Sequence, residues 1–272
     1  MLNAPVEPGI DCHIHIVDRA RFPYCMNSGG YFPTEAEQGT VEQFSEIMTQ
    51  HNVDAALLVQ PSCYGADAAA MADAARRHPE RFAMIAAMTT PRDGPRFAGV
   101  RLNIVNGAMA PDDPALAAAL KDAADTGLWV EVQCPTARLL DYLPVLRASG
   151  ARLIFDHLGY PDPALGPTQP GFEALLSLAG EKRHAVKLSG AFRLSRMPYP
   201  HDDISPFAEE LLSAFGPDAC VWGSDWPFVG ARYRPAYAET RAILSHWVSD
   251  AAARRIILSD TPARLFGLGS GA

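Results

Sequence analysis

Apolar residues gather along the chain in short runs of strand type. They lie at Ile10 to Ile16, Asp54 to Pro61, Phe82 to Met88, Gly99 to Ile104, Trp129 to Cys134, Arg152 to Leu158, Ala185 to Gly190 and Cys220 to Asp225. Between most of them the apolar spacing changes to three and four residues, which predicts helices over Val41 to His51, Ala66 to His78, Pro114 to Thr126, Ala137 to Ser149, Gly171 to Leu178, Pro206 to Phe215 and Pro235 to Trp247. Alternation of this kind predicts parallel strands joined by crossover helices. Over 272 residues it matches a (β/α)8 TIM barrel, with a doubly wound open sheet as the rival architecture. One unit is irregular: the connection Thr89 to Ala98 holds Pro91, Gly94 and Pro95, so the third helix is expected to be reduced or missing. The Pro-rich stretches Tyr160 to Pro170 and Tyr199 to Ser205 read as loops after the sixth and seventh strands. No linker divides the chain, and a single domain over residues 1–272 is expected.

In such a barrel the outward strand face is buried under helices, so polar strand positions mark the interior. On the first strand, alternation puts Asp11, His13 and His15 on one face and Cys12, Ile14 and Ile16 on the other. The same reasoning points Arg101 and Asn103 inward on the fourth strand and Glu131 and Gln133 inward on the fifth. It groups Phe155 with His157 on the sixth, Lys187 with Ser189 on the seventh and Gly223 with Asp225 on the eighth. Two imidazoles side by side at a strand end need polar partners that an apolar core does not provide, which favours a functional pair at His13 and His15. An inward Arg101 needs a carboxylate, either Glu131 on the next strand or a substrate. Asp225, taken alone, equally suits a cap on the turn at Trp226 and Pro227. His51, His78, His184 and His246 fit packing or surface roles, and His201 is a lesser candidate for substrate contact.

Composition narrows the function class. A formal net charge of −8 without a run of lysine or arginine argues against nucleic acid or an anionic membrane as partner, and leaves a small-molecule enzyme. The five cysteines form no CxxC pair and suggest neither a disulfide framework nor a structural zinc site. Met1 to Gly9 lacks a basic and an apolar segment, and no run of eighteen apolar residues occurs, so a cytoplasmic location is expected. Homo-oligomer formation is left open.

The ordered segments Asp11-Cys12-His13-Ile14-His15, Gly99-Val100-Arg101-Leu102-Asn103, Phe155-Asp156-His157-Leu158-Gly159, Lys187-Leu188-Ser189-Gly190 and Gly223-Ser224-Asp225-Trp226-Pro227 resemble the amidohydrolase superfamily. Within it they are most similar to the amidohydrolase-related branch that holds pyrone and sugar lactonases. The resemblance implies a hydrolase acting on a small carboxylated pyrone or sugar lactone, with His13, His15, His157 and Asp225 in one catalytic site and Asp225 as general base. It also implies that a zinc or similar ion, if bound, is held by His13, His15 and Asp225. Metal-dependent relatives add a lysine or histidine on the fifth strand, where this chain has Glu131, Gln133 and Cys134; Glu131 or Cys134 would have to substitute. The shell is thus similar to that of lactonases that need no cofactor. Arg101 and Arg193 suit a substrate carboxylate, because a guanidinium matches it bidentately. Where pyrone lactonases carry further basic residues after strand four, this chain reads Val105-Asn106-Gly107, which favours a monocarboxylate or a neutral sugar lactone. Tyr24, Gln60, Tyr64, Asn103 and Gln133 are the further expected contacts. The alternatives are a metal-dependent decarboxylase or hydratase of the same branch, and a barrel that only binds.

Overall fold

The computed structural model describes residues 7–92, 94–107 and 109–269. Eight strands run in chain order around one sheet: β1 (Gly9–Ile14), β2 (Val53–Val59), β3 (Phe82–Ala87), β4 (Phe97–Asn103), β5 (Trp129–Gln133), β6 (Arg152–Phe155), β7 (Ala185–Ser189) and β8 (Cys220–Gly223). Every neighbouring pair is parallel. The sheet closes through the segment after β8: Asp225 N donates to His13 O at 2.8 Å and His15 N donates to Trp226 O at 2.8 Å. This is the expected (β/α)8 barrel.

The helices begin where their caps say they should. Thr40 and Gln43 form a reciprocal capping box on α1 (Val41–Gln50). Asp113 caps α3 (Pro114–Asp125), with Pro114 at its first position, and Gly150 in left-handed conformation stops α4 (Thr136–Ser149). The remaining helices are α2 (Ala69–Arg77), α5 (Pro170–Ser177), the single turn α6 (Ala191–Leu194), α7 (Ser205–Phe215), α8 (Tyr237–Trp247), α9 (Ala251–Arg255) and α10 (Thr261–Phe266). Among the described residues no helix joins β3 to β4, as Pro91, Gly94 and Pro95 led one to expect. No helix among them is long and apolar enough to cross a membrane.

Two buried layers follow from the strand faces. Ile10, Cys12, Leu57, Ile85, Ile154 and Val221 fill the lower barrel, while Phe44, Val130, Val132, Phe155 and Trp222 pack under the helices.

That partition corrects two strand readings. On β1, Asp11 pairs with Ala56 and Ile14 with Leu58, so three steps of β1 oppose two of β2. The extra residue is a β-bulge, and it breaks the alternation. Cys12 turns inward with Ile10, Asp11 turns outward to the Tyr237 hydroxyl of α8 (2.8 Å), and His13 still faces the interior. On β6, Phe155 packs on the helix side, not with His157. Ile154 and Asp156 face inward, and the chain then leaves the ladder with positive φ at His157 (48°), Leu158 (58°) and Tyr160 (58°).

Candidate active site

The strand ends deliver His13, His15, His157 and Asp225 to one point at the C-terminal mouth of the barrel. His13 Nε2 lies 3.7 Å and His15 Nε2 3.5 Å from Asp225 Oδ1, and His157 Nε2 lies 3.7 Å from Asp225 Oδ2. The His13 ring stands 5.0 Å from that of His15 and 4.7 Å from that of His157, centre to centre. Close approach depends on two glycines. A Cβ at Gly190 would stand 2.6 Å from His157 Nδ1, and one at Gly223 would stand 2.6 Å from His13 Cβ. Asp225 itself holds φ at 66°, a conformation that costs a non-glycine residue about 1 kcal/mol or more and is kept because the chain on both sides is tied to β1.

Each outer ring atom has a partner that orients it. His15 Nδ1 donates to Val59 O at 2.8 Å, His157 Nδ1 meets Ser189 Oγ at 3.0 Å, and His13 Nδ1 lies 3.2 Å from Asp156 Oδ1 and 3.0 Å from Lys187 Nζ. Behind His13 sits a fully enclosed charge cluster. Lys187 Nζ donates to Glu131 Oε2 and lies 3.1 Å from Asp156 Oδ1, while Arg101 reaches Glu131 Oε1 (3.2 Å) and Asp156 Oδ2 (3.1 Å).

Burial and these neighbours set the charges. Burial would raise Asp225, but the Arg193 guanidinium, with His157 and His15 close by, holds its carboxyl well below the usual range. Burial, then Lys187, holds His13 well below its ordinary value, and burial pushes His157 down to about 4. Asp156 is held low by Lys187 and His13 against the effect of burial, whereas burial and the Asp156 charge push Glu131 upward against the pull of Lys187 and Arg101. At neutral pH the site therefore presents one carboxylate and uncharged imidazoles at His13 and His157.

A cavity of about 450 Å³ opens over this floor, with His15, Arg101, Gln133, His157, Arg193 and Asp225 in its walls. A smaller one of about 240 Å³ shares Arg101 and holds Asn103. Arg101 is largely committed: it donates to Gln60 O (3.1 Å), Gln133 Oε1 (2.9 Å) and Asp156 Oδ2 (3.1 Å), and its Nε faces Glu131 without a hydrogen bond, which leaves one N–H on Nη1 for a ligand. Arg193 donates through Nε to Asp225 Oδ2 and through Nη1 to Val229 O (2.9 Å), which leaves its Nη2 free of these bonds.

The side chains of three other expected contacts are bound to loops, although Gln60 also lines the smaller cavity. The Tyr64 hydroxyl is buried and accepts from Asp18 N at 2.9 Å. The Gln60 side chain is consumed by Gly65 O, Asp67 O, Ala87 N and Thr90 Oγ1. The Tyr24 hydroxyl serves Pro33 O and Gln38. All three hold loops. His201 lines an adjoining outer cavity with Tyr199 and Tyr233 that shares Tyr160, Arg193 and Arg232 with the one over the site, and His184 accepts from Leu153 N.

Four wall or cluster residues escaped the sequence reading: Asp156, Glu37, Tyr160 and Arg232. Asp156 was within reach, because inward Ile154 predicts inward Asp156 two positions on. Glu37, after β1, accepts from Thr34 N (2.7 Å) and Gly230 N (2.6 Å) and so latches two rim loops together. Its sequence neighbourhood carries no signal of that long-range bond.

His13, His15 and Asp225 each offer a ligand atom within 4.8 Å of the others. His13 Nε2 and Asp225 Oδ1 are buried without a hydrogen-bond partner, so the spacing and donor chemistry fit a divalent ion. Neither proposed fifth-strand substitute joins them: Glu131 is bound by Lys187 and Arg101, and Cys134 packs in the outer layer with Sγ on Pro135 O.

Residues 10–268 match the family model described as amidohydrolase. The chain is 28% identical to the 4-sulfomuconolactone hydrolase of Rhizobium radiobacter over 98% of its own length and 94% of that protein's. It is 23% identical to the 2-pyrone-4,6-dicarboxylate hydrolase of Comamonas testosteroni, over 94% and 89% of the two chains. Among solved structures, a protein of Acinetobacter baumannii described as a probable 2-pyrone-4,6-dicarboxylic acid hydrolase, with citric acid bound, superimposes with a TM-score of 0.85 at 27% identity, covering 96% of this chain and 100% of the other.

Proposed function

The chain belongs to the amidohydrolase family, and we propose that it hydrolyses a small anionic lactone by water attack, with Asp225 as general base. The observation that carries this reading is the convergence of three imidazole Nε2 atoms on one ionised, arginine-clamped carboxylate at the floor of a cavity. The likeness to lactone hydrolases over nearly the whole chain supports it.

In this mechanism Asp225 takes a proton from water as the water oxygen bonds to the lactone carbonyl carbon. His13 and His157 face the carbonyl, where hydrogen bonds from these imidazoles stabilise the tetrahedral oxyanion, while His15, whose Nδ1 is committed to Val59 O, faces the attacking water. The ring C–O bond then breaks, its electron pair stays on the leaving oxygen, and Asp225 returns the proton there. The product is the open hydroxy acid. Arg193, free at Nη2, and the one remaining N–H of Arg101 orient an anionic group of the substrate, while Gln133 and Asn103 meet its other polar atoms. A lactone is activated enough for hydrogen-bond donors to suffice, so no cofactor is required by this scheme. A divalent ion, if bound, would be held by His13, His15 and Asp225 and would supply Lewis-acid polarisation of the carbonyl and a more acidic water. Cysteines that are not joined in disulfides suit action in the cytoplasm.

A pH-indicator assay on pyrone, muconate-derived and sugar lactones, with and without chelator, tests the reading. We expect hydrolysis that chelator does not abolish, and a fall in kcat of about 10³-fold for Asp225→Asn with KM little changed. Stoichiometric metal with chelator-sensitive turnover would replace the cofactor-free scheme, and inactivity on every lactone would remove the function.

A further inference from the structure

We propose that Lys187 is a positioning residue: its ammonium fixes the ring proton of His13 on Nε2, making that imidazole a hydrogen-bond donor toward the reaction centre and opposing the binding of a divalent ion. An ammonium has three protons and no lone pair. Lys187, fully enclosed on β7, has three groups around Nζ: Glu131 Oε2, Asp156 Oδ1 at 3.1 Å and His13 Nδ1 at 3.0 Å. All three protons face an acceptor only if His13 Nδ1 accepts, which puts the single proton of the neutral ring on Nε2.

The other tautomer would let Nδ1–H donate to Asp156 Oδ1 at 3.2 Å. It would also press an N–H against an ammonium proton in the barrel interior, with no water to take the displaced bond. Asp156 Oδ1 makes no hydrogen bond but has the Lys187 ammonium as counter-charge at 3.1 Å, and Oδ2 accepts from Arg101, so the charge of the carboxylate is balanced without His13.

His15 is set the opposite way. Its Nδ1 faces Val59 O at 2.8 Å, an obligate acceptor, so the proton is on Nδ1 and Nε2 carries a lone pair. The two histidines of β1 thus present a donor and an acceptor side by side, both beside Asp225 Oδ1. A carbonyl oxygen matches the first and a water proton the second. A divalent ion needs lone pairs on both nitrogens, and must therefore drive the His13 proton to the face that Lys187 occupies.

The test begins without substrate and so stands apart from the proposed lactone hydrolysis. In full-length protein labelled with 15N in histidine and freed of metal, two-dimensional NMR at neutral pH reads the tautomer of each ring. His13 is assigned by loss of its signals in His13→Asn. We expect protonated Nε2 for His13 and protonated Nδ1 for His15; protonated Nδ1 at His13 in the wild type would overturn the proposal. Lys187→Met should move the His13 proton to Nδ1 and raise zinc affinity, read by calorimetry, by about 10- to 100-fold. On whichever lactone is turned over, kcat should fall about 100-fold with KM nearly constant. Unchanged zinc affinity in a folded Lys187→Met protein would also overturn it. If that variant fails to fold because two buried carboxylates lose their cation, Lys187→Met with Glu131→Gln removes one of them and the same readouts apply.

Discussion

The imidazole of His157 is buried against Ser189 and pushed down to about 4, which makes it a liability in acid. The ordinary value, and that of the unfolded chain, is 6.5. Between these values the unfolded chain takes up a proton that the folded protein refuses, so stability present above pH 6.5 is lost as the pH falls toward 4. The shift corresponds to about 3 kcal/mol over that window. Denaturant unfolding at pH 7, 5.5 and 4 should show this decline, and His157→Gln should flatten it; an equal slope in the variant would show that other groups cause it. At this scale the sequence was readable where chemistry and alternation agree, as at Arg101, Glu131 and Asp225. It was not readable where the partner is distant. Lys187 on β7 pairs with Glu131 on β5 across the barrel, and Asp156 was masked by the more conspicuous His157 beside it.

Elements place those residues by a device that alternation conceals. The bulge in β1 turns Asp11 outward, where Oδ1 accepts from His13 N (3.1 Å) and Ser224 N (2.9 Å) and Oδ2 accepts from the Tyr237 hydroxyl (2.8 Å). One carboxylate therefore ties the backbone under His13 to the residue before Asp225 and anchors both to α8. Asp11→Ala leaves two buried amides and a hydroxyl unpaired, at a cost of about 2–4 kcal/mol by chemical denaturation. It should also lower kcat by more than about tenfold, because a small misplacement of a general base is expensive, while KM changes less since Arg101 and Arg193 stand on other elements. Asp11→Asn, which keeps the Oδ1 acceptor, should retain most of the activity. A folded Asp11→Ala protein with wild-type kcat would sink the idea. No single residue announces a bulge, and for that reason strict period two misassigned Asp11 and Cys12 while correctly turning both histidines inward.

At the scale of the molecule the two barrel ends divide the work. The alternation of strand and helix made the barrel legible from the sequence, but that reading stopped at Trp247, because the short segments beyond it carry no strand and little helical length. In the structure they close the bottom of the barrel. Phe266 and Leu268 join Ile10 in the interior layer, the Phe266 ring lies 6.0 Å from that of Trp129, Trp129 Nε1 donates to Leu265 O (3.0 Å) and Arg96 Nη2 to Gly267 O (2.7 Å). The proposed active site is at the opposite strand ends, so this plug should serve stability alone. Phe266→Ala removes a nearly enclosed ring, 8% exposed, and should destabilise the protein by about 3 kcal/mol. Unfolding curves measure that loss, and kcat and KM on the same preparation should stay within about twofold of wild type, since effects at well-separated sites are nearly independent. A stable variant with altered kinetics would mean instead that the plug communicates with the mouth through the strands of the barrel.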